Sequence, residues 1–223
     1  MTFSNAYHGV KKVFTAELLK LIGGVCLLIA SILGVLTAGV AADGATVGAG
    51  VSGAGTIIFM AAGLVLPIVG YIMNLVGLHQ AGKDEDGFRT AFIVSIFALI
   101  IAVIAGIFTG FNIATGVADN IATVIQRICE IIVFVMVVGG VASLAARLGK
   151  ENMIGNAKTV LTIFIVCWVI NILASLVDLI FGVNDTTATI TGIASIVVAV
   201  FSIIGYVVYL VFLGKAKNML RDN

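Results

Sequence analysis

The sequence predicts an all-α membrane protein, with six transmembrane helices laid out as three tandem two-helix hairpin repeats of about 66 residues and both termini cytoplasmic. Three observations carry this. Hydrophobic residues make up 61% of the 223 residues and charged residues 10%, and the mean hydropathy of +1.23 lies far outside the globular range. Six continuous apolar runs each supply the roughly 20 residues needed to cross about 30 Å of hydrocarbon. Finally, Gly-Lys pairs at Gly82-Lys83, Gly149-Lys150 and Gly214-Lys215, 67 and 65 residues apart, close every second run.

Taken in order, the chain begins with a stripe of Phe3, Tyr7, Val10, Phe14 and Leu18 at three- and four-residue intervals, with Lys11 and Lys12 off it. That is the pattern of a helix lying in the cytoplasmic interface, so residues 1–17 read as an amphipathic interfacial segment; a partner-binding helix has the same pattern. Hairpin repeats follow at 18–82, 83–149 and 150–223, the last ending in a basic tail. The first span, Leu18–Ala42, is too long for the apolar core of a cleavable signal peptide and reads as retained. A Gly-rich loop, Asp43–Gly55, leads to the second span, Thr56–Leu78. Its Gly63, Pro67, Gly70, Asn74 and Gly77 are spaced four, three, four and three, and so share one helix face.

That face is a candidate kink or gate. Pro67 cannot donate to the carbonyl of Gly63 and should kink the helix near mid-membrane, while Asn74 lies on the same side. Small residues also let helices approach closely where lipid offers no hydrophobic drive. Tight helix contact and the lining of a pore or cleft are therefore both open. The Lys83–Arg89 connection, with Asp84, Glu85 and Asp86 inside it, reads as a solvated turn.

The remaining spans are Thr90–Thr109, Ile121–Ala146, Thr159–Phe181 and Thr191–Leu213. Barrel strands would be shorter and alternating. Each Gly of a Gly-Lys pair is expected to cap its helix in the left-handed conformation, with the Lys anchoring the end at the headgroups. A phosphate-binding loop would need a preceding strand, which the apolar runs do not supply.

Charge sets the orientation. Eleven of the twelve basic residues flank the spans on the side of the termini, while the other side holds Arg127 and five acids; basic residues are retained in the cytoplasm, so the chain should be a multi-pass protein of the cell membrane, N-in and C-in. Arg127 and Glu130 in the fourth span and Asp178 and Asn171 in the fifth stand at matching depths of antiparallel helices. They form the candidate polar cluster, either a structural ion pair or a proton- or cation-coupled site. Glu17 and Lys20 count among the flanking charges of the N-terminal side.

Enzyme chemistry finds little support. His8 and His79 stand apart from the three cysteines and from paired carboxylates, and no serine has an evident base, so no catalytic residue, metal site or cofactor is expected. Nothing points to nucleic acid. The expected partners are the lipid bilayer and either further copies of the chain or another membrane protein. The composition therefore points to a small oligomeric channel or transporter component moving an ion or small solute; alternatively, to a structural or assembly subunit that associates through its small-residue faces.

Overall fold

In a computed structural model the chain is all-helical: α1 Ser4–Ala42, α2 Thr46–Ala81, α3 Asp86–Gly110, α4 Val117–Arg147, α5 Glu151–Phe181 and α6 Asp185–Arg221. The structure describes residues 3–42, 46–110, 117–181 and 185–221, with the side chains of 3–34, 55–108, 122, 124–169 and 203–221. Among the described residues six helices are long and apolar enough to cross a membrane, as the hydropathy pattern led one to expect. Large apolar side chains such as Ile57, Leu64, Ile68 and Ile72 on α2 and Ile93, Phe97, Ile100 and Ile104 on α3 are exposed at helical spacing. Stripes of that size suit hydrocarbon and not water, and they mark a multi-pass membrane protein.

Among the described residues each helix packs on its neighbours in sequence, and α6 returns to α1, so the six form a closed ring. The most extensive seam is α1·α2, followed by α3·α4 and α5·α6. Seams between these pairs are thinner. At the end that carries both termini the ring is filled by one core, in which Val10, Val13, Leu78, Phe88, Leu144 and Leu213 are almost wholly buried.

The N-terminal residues pack into the bundle. From Ser4 onward they are the first turns of a single 39-residue helix, and Ala6, Val10, Val13 and Ala16 are buried. The stripe therefore faces protein along much of its length. Its N-terminus is tied down by the α2–α3 turn: Asp84 Oδ2 accepts from the backbone N–H of Ala6 at 2.7 Å, and Asp84 Oδ1 accepts from Asn5 at 2.9 Å. An acceptor is required there because the first N–H groups of a helix have no partner within it, and a carboxylate also meets the positive end of the helix dipole. Glu85 pairs with Arg147 at 2.8 Å and joins the same turn to the end of α4. The connection that looked like a solvated turn is thus a clasp between three helices.

The Gly-Lys pairs end in three different ways. Gly149 has φ +67; its N–H donates to the Ala146 carbonyl and that of Lys150 to the Ala145 carbonyl, the paired bonds of a left-handed helix cap. Gly82 is a turn residue whose added Cβ would stand 3.0 Å from Arg89 backbone atoms, so smallness decides there. Gly214 lies inside α6, which runs on to Arg221. The expected cap is therefore formed at Gly149, and at Gly214 the helix simply continues.

The small-residue face of α2 is covered by α1. A Cβ on Gly77 would lie 2.8 Å from the Gly9 carbonyl oxygen, one on Gly70 2.8 Å from that of Ala16, and one on Gly63 2.6 Å from Leu27. The Pro67 ring fills the space beside Gly23, where a Cβ would meet it at 2.6 Å. Helix α2 continues through Pro67. A backbone-on-backbone approach of this kind tolerates no methyl group, whereas Gly139 on α4 has nothing within 4 Å of an added Cβ. Gly9→Ala, whose Cβ would sit 2.5 Å from backbone atoms of Gly77 and Ala81, should cost about 1–3 kcal/mol. Gly139→Ala should be neutral or stabilise by about 0.5–1 kcal/mol. Thermal unfolding of the two variants in detergent checks the contrast; equal midpoints would refute the seam.

Candidate functional site

Glu17 is the centre of the candidate site. On α1 it follows Val10 and Val13 at three- and four-residue steps, so the face that builds the core also carries the carboxylate inward, about 16 Å along the helix from Ala6. The side chain is 10% exposed. A carboxylate in such surroundings needs donors, because an unpaired buried charge costs several kcal/mol. Three donors meet it, from three helices. Lys20 Nζ and Asn74 Nδ2 each donate to Oε1 at 2.7 Å; the Tyr206 hydroxyl lies 2.8 Å from Oε2 and 2.8 Å from the Glu17 carbonyl oxygen.

Each donor is placed by local packing. Lys20 is one turn on from Glu17 in the same helix. Asn74 stands on the glycine face of α2, between Gly70 and Gly77, and so is held at close range by the seam with α1. Tyr206 comes from α6 at the seam that closes the ring; lower down, Lys217 Nζ lies 4.9 Å from the Phe14 ring centroid. The amide oxygen of Asn74 is buried and has no hydrogen-bond partner among the described residues.

Above the core lies an open chamber of about 850 Å³ to which all six helices contribute. The Glu17 cluster stands in its wall, with Tyr71, Ser95 and Glu130. Tyr71 donates to the Ser95 carbonyl at 2.6 Å and thereby ties α2 to α3. An aromatic cluster forms the side toward α5: Phe134 stacks on Phe164 with centroids 3.8 Å apart, and Tyr209 tilts against Phe134 at 4.9 Å. The chamber is thus polar around Glu17 and apolar or aromatic elsewhere. That is the usual composition of a small-molecule site, in which a few polar groups orient a mainly apolar ligand.

The candidate residues from the sequence fall into three groups. Gly63, Pro67, Gly70 and Gly77 lie in the α1·α2 seam, and Asn74 joins Glu17 from that same face. Arg127 and Glu130 approach to 3.8 Å, with side chains 73% and 69% exposed; they form a loose pair, and Glu130 reaches the chamber. Asn171 and Asp178 belong to α5, but their side chains lie outside the described residues. Glu17, Lys20 and Tyr206 were missed as site residues. The available signal was periodicity, since Glu17 follows Val10 and Val13 at helical spacing.

Comparison with protein-family models, with characterised proteins and with solved structures gives no match for this chain.

A bond network of this kind predicts coupling. In a double-mutant cycle of Glu17→Gln and Tyr206→Phe, measured by thermal or denaturant unfolding in detergent, the interaction energy should be roughly 0.5–2 kcal/mol. Glu130→Gln should change stability by less than about 0.5 kcal/mol, as suits an exposed pair. Additive effects at positions 17 and 206 would show that the two side chains do not interact.

Proposed function

We propose that this chain is a cell-membrane channel or transporter component that moves an ion or small solute through the chamber around Glu17. The observation that carries the reading is a carboxylate and an ammonium group retained inside the bundle, beside open space reached by all six helices. Charged groups within membrane-spanning helices are costly and mark functional sites by default. A bundle that served only to assemble with other proteins would gain by filling that volume with packed apolar side chains. The reading is of a carrier and not an enzyme.

Both termini are read as cytoplasmic, because the basic residues gather at the end where the helical termini and the α2–α3 and α4–α5 connections meet. The ring is read as three copies of one hairpin, which accords with α1·α2, α3·α4 and α5·α6 being the most extensive seams. The bilayer is the partner the exposed apolar stripes require, and association with further copies of the chain is part of the proposal.

The test is flux into proteoliposomes over a panel of monovalent ions and small organic solutes. At least one species should move, and Glu17→Gln should slow it by more than about tenfold, since removing a buried interaction of this strength shifts an equilibrium by that order. If the folded protein moves nothing, the assembly reading takes its place; unchanged flux in Glu17→Gln would separate transport from the chamber. For orientation, Lys150→Cys in a background lacking the native cysteines should react with an impermeant maleimide only after the cells are opened. Labelling of intact cells would reverse the topology.

A further inference from the structure

A second space adjoins the chamber. Between α4 and the α5–α6 pair lies a cleft of about 310 Å³, with Arg127, Leu161, Trp168 and Gly205 among its lining residues. Four side chains, Glu130, Phe134, Phe164 and Tyr206, line both the cleft and the chamber, so the two spaces share one wall. Trp168 and Ile165 are 41% and 57% exposed on the α5 side, which places the mouth of the cleft on the lipid-facing surface of the ring.

We propose that the chamber takes a lipophilic monocation, an ammonium or phosphonium centre on an apolar body, and admits it from the lipid phase through this cleft. The inference rests on the transport reading and names its substrate class. Three features select the cation. Glu17 and Glu130 are the two anionic groups that line the chamber; each has one basic partner, Lys20 and Arg127, and Arg127 lines the cleft and not the chamber. Asn74 Oδ1, beside Glu17, is an acceptor without a donor among the described residues. The shared wall is made largely of aromatic rings, whose faces attract cations most strongly where water is excluded.

Two further features select an apolar body and a route through lipid. Away from Glu17 the chamber is walled by residues such as Leu21, Val25, Leu28, Val133 and Ile203, which offer a hydrated ion nothing in exchange for its water. At the cleft mouth Arg127 lies 3.8 Å from Glu130, so the pair presents no net charge to an arriving cation. Gly205 keeps the α6 side of the cleft open: an added Cβ would make only ordinary contact, 3.5 Å from Ile163 and 3.7 Å from Phe164, but a larger side chain there would project into the space.

Trp168, the single tryptophan of the chain, reports occupancy of the cleft directly. The full-length protein in phosphatidylcholine nanodiscs is titrated with tetraphenylphosphonium and, separately, with tetraphenylborate, an ion of the same shape and opposite charge, while Trp168 fluorescence is read. A saturable change is expected with the phosphonium and not with the borate. Apparent affinity for the phosphonium should weaken about tenfold in Glu17→Gln and about threefold in the exposed Glu130→Gln, with Glu17→Asp retaining most of it. Gly205→Leu should slow the approach to saturation. An equal saturable response to the borate, or unchanged affinity in a folded Glu17→Gln, overturns the proposal. Should Glu17→Gln not fold, unchanged affinity in Glu130→Gln overturns it instead. Glu17-dependent flux of a small hydrated ion without phosphonium binding would refute this inference and leave the transport reading standing. Phosphonium binding without movement of any solute would do the reverse.

Discussion

A carboxylate inside a membrane-spanning bundle constrains everything around it. Glu17 cannot remain charged at that depth unless donors converge on it, and no single helix supplies enough of them. Lys20 comes from its own helix, Asn74 requires α2 to lie against α1 at backbone distance, and Tyr206 requires α6 to return to α1 and close the ring. The closest seam, the ring topology and the polar centre of the chamber therefore depend on one another. The glycines of α2 let the two helices approach closely enough for Asn74 to reach Glu17 across that seam.

The same logic explains how the ends differ. At the termini end the helices are locked by groups that water and headgroups can also serve: Asp84 on the first turn of α1, Glu85 on Arg147, and the left-handed cap at Gly149. These contacts lie beneath a dry core containing Phe88, Leu144 and Leu213. Above it the ring opens around the chamber, where side chains and not backbone seams define the space. A bundle fixed at one end and hollow above can change the width of the hollow without unfolding, because packed cores shift between discrete arrangements and resist continuous deformation.

Much of the fold was legible because hydropathy is a local signal. Six apolar runs became six helices, and the four-three spacing from Gly63 to Gly77 identified the face that α1 covers. What escaped was set by partners far away in sequence. Asp84 looked solvated because its bond to Ala6 spans 78 residues, and Tyr206 was one aromatic residue in an apolar run until α6 met Glu17 across 189 residues. Glu17 itself was misplaced by one assumption, that the span begins at Leu18. The helix extends back to Ser4, and an acid counted as a flanking charge belongs to the interior. Arg127 and Glu130 were visible for the opposite reason: they are charges inside an apolar run, but being exposed, they bind each other only loosely.

A buried ion pair is weak evidence for stability, since apolar residues of similar volume often serve as well or better. The Glu17–Lys20 pair is better understood through its setting. Lys20 is 30% exposed at the side chain and faces the chamber; on the binding reading proposed above, its ammonium group holds a place that another cation takes without leaving Glu17 uncompensated. Asn74 and Tyr206 would keep their bonds to the carboxylate during such an exchange, which preserves the seams of α1 with α2 and α6 while the occupant changes. A pair that served only to hold helices together would have no use for an open volume beside its cation. The combination of fixed neutral donors, one replaceable charged donor and adjoining space is what a binding centre requires and a structural clamp does not.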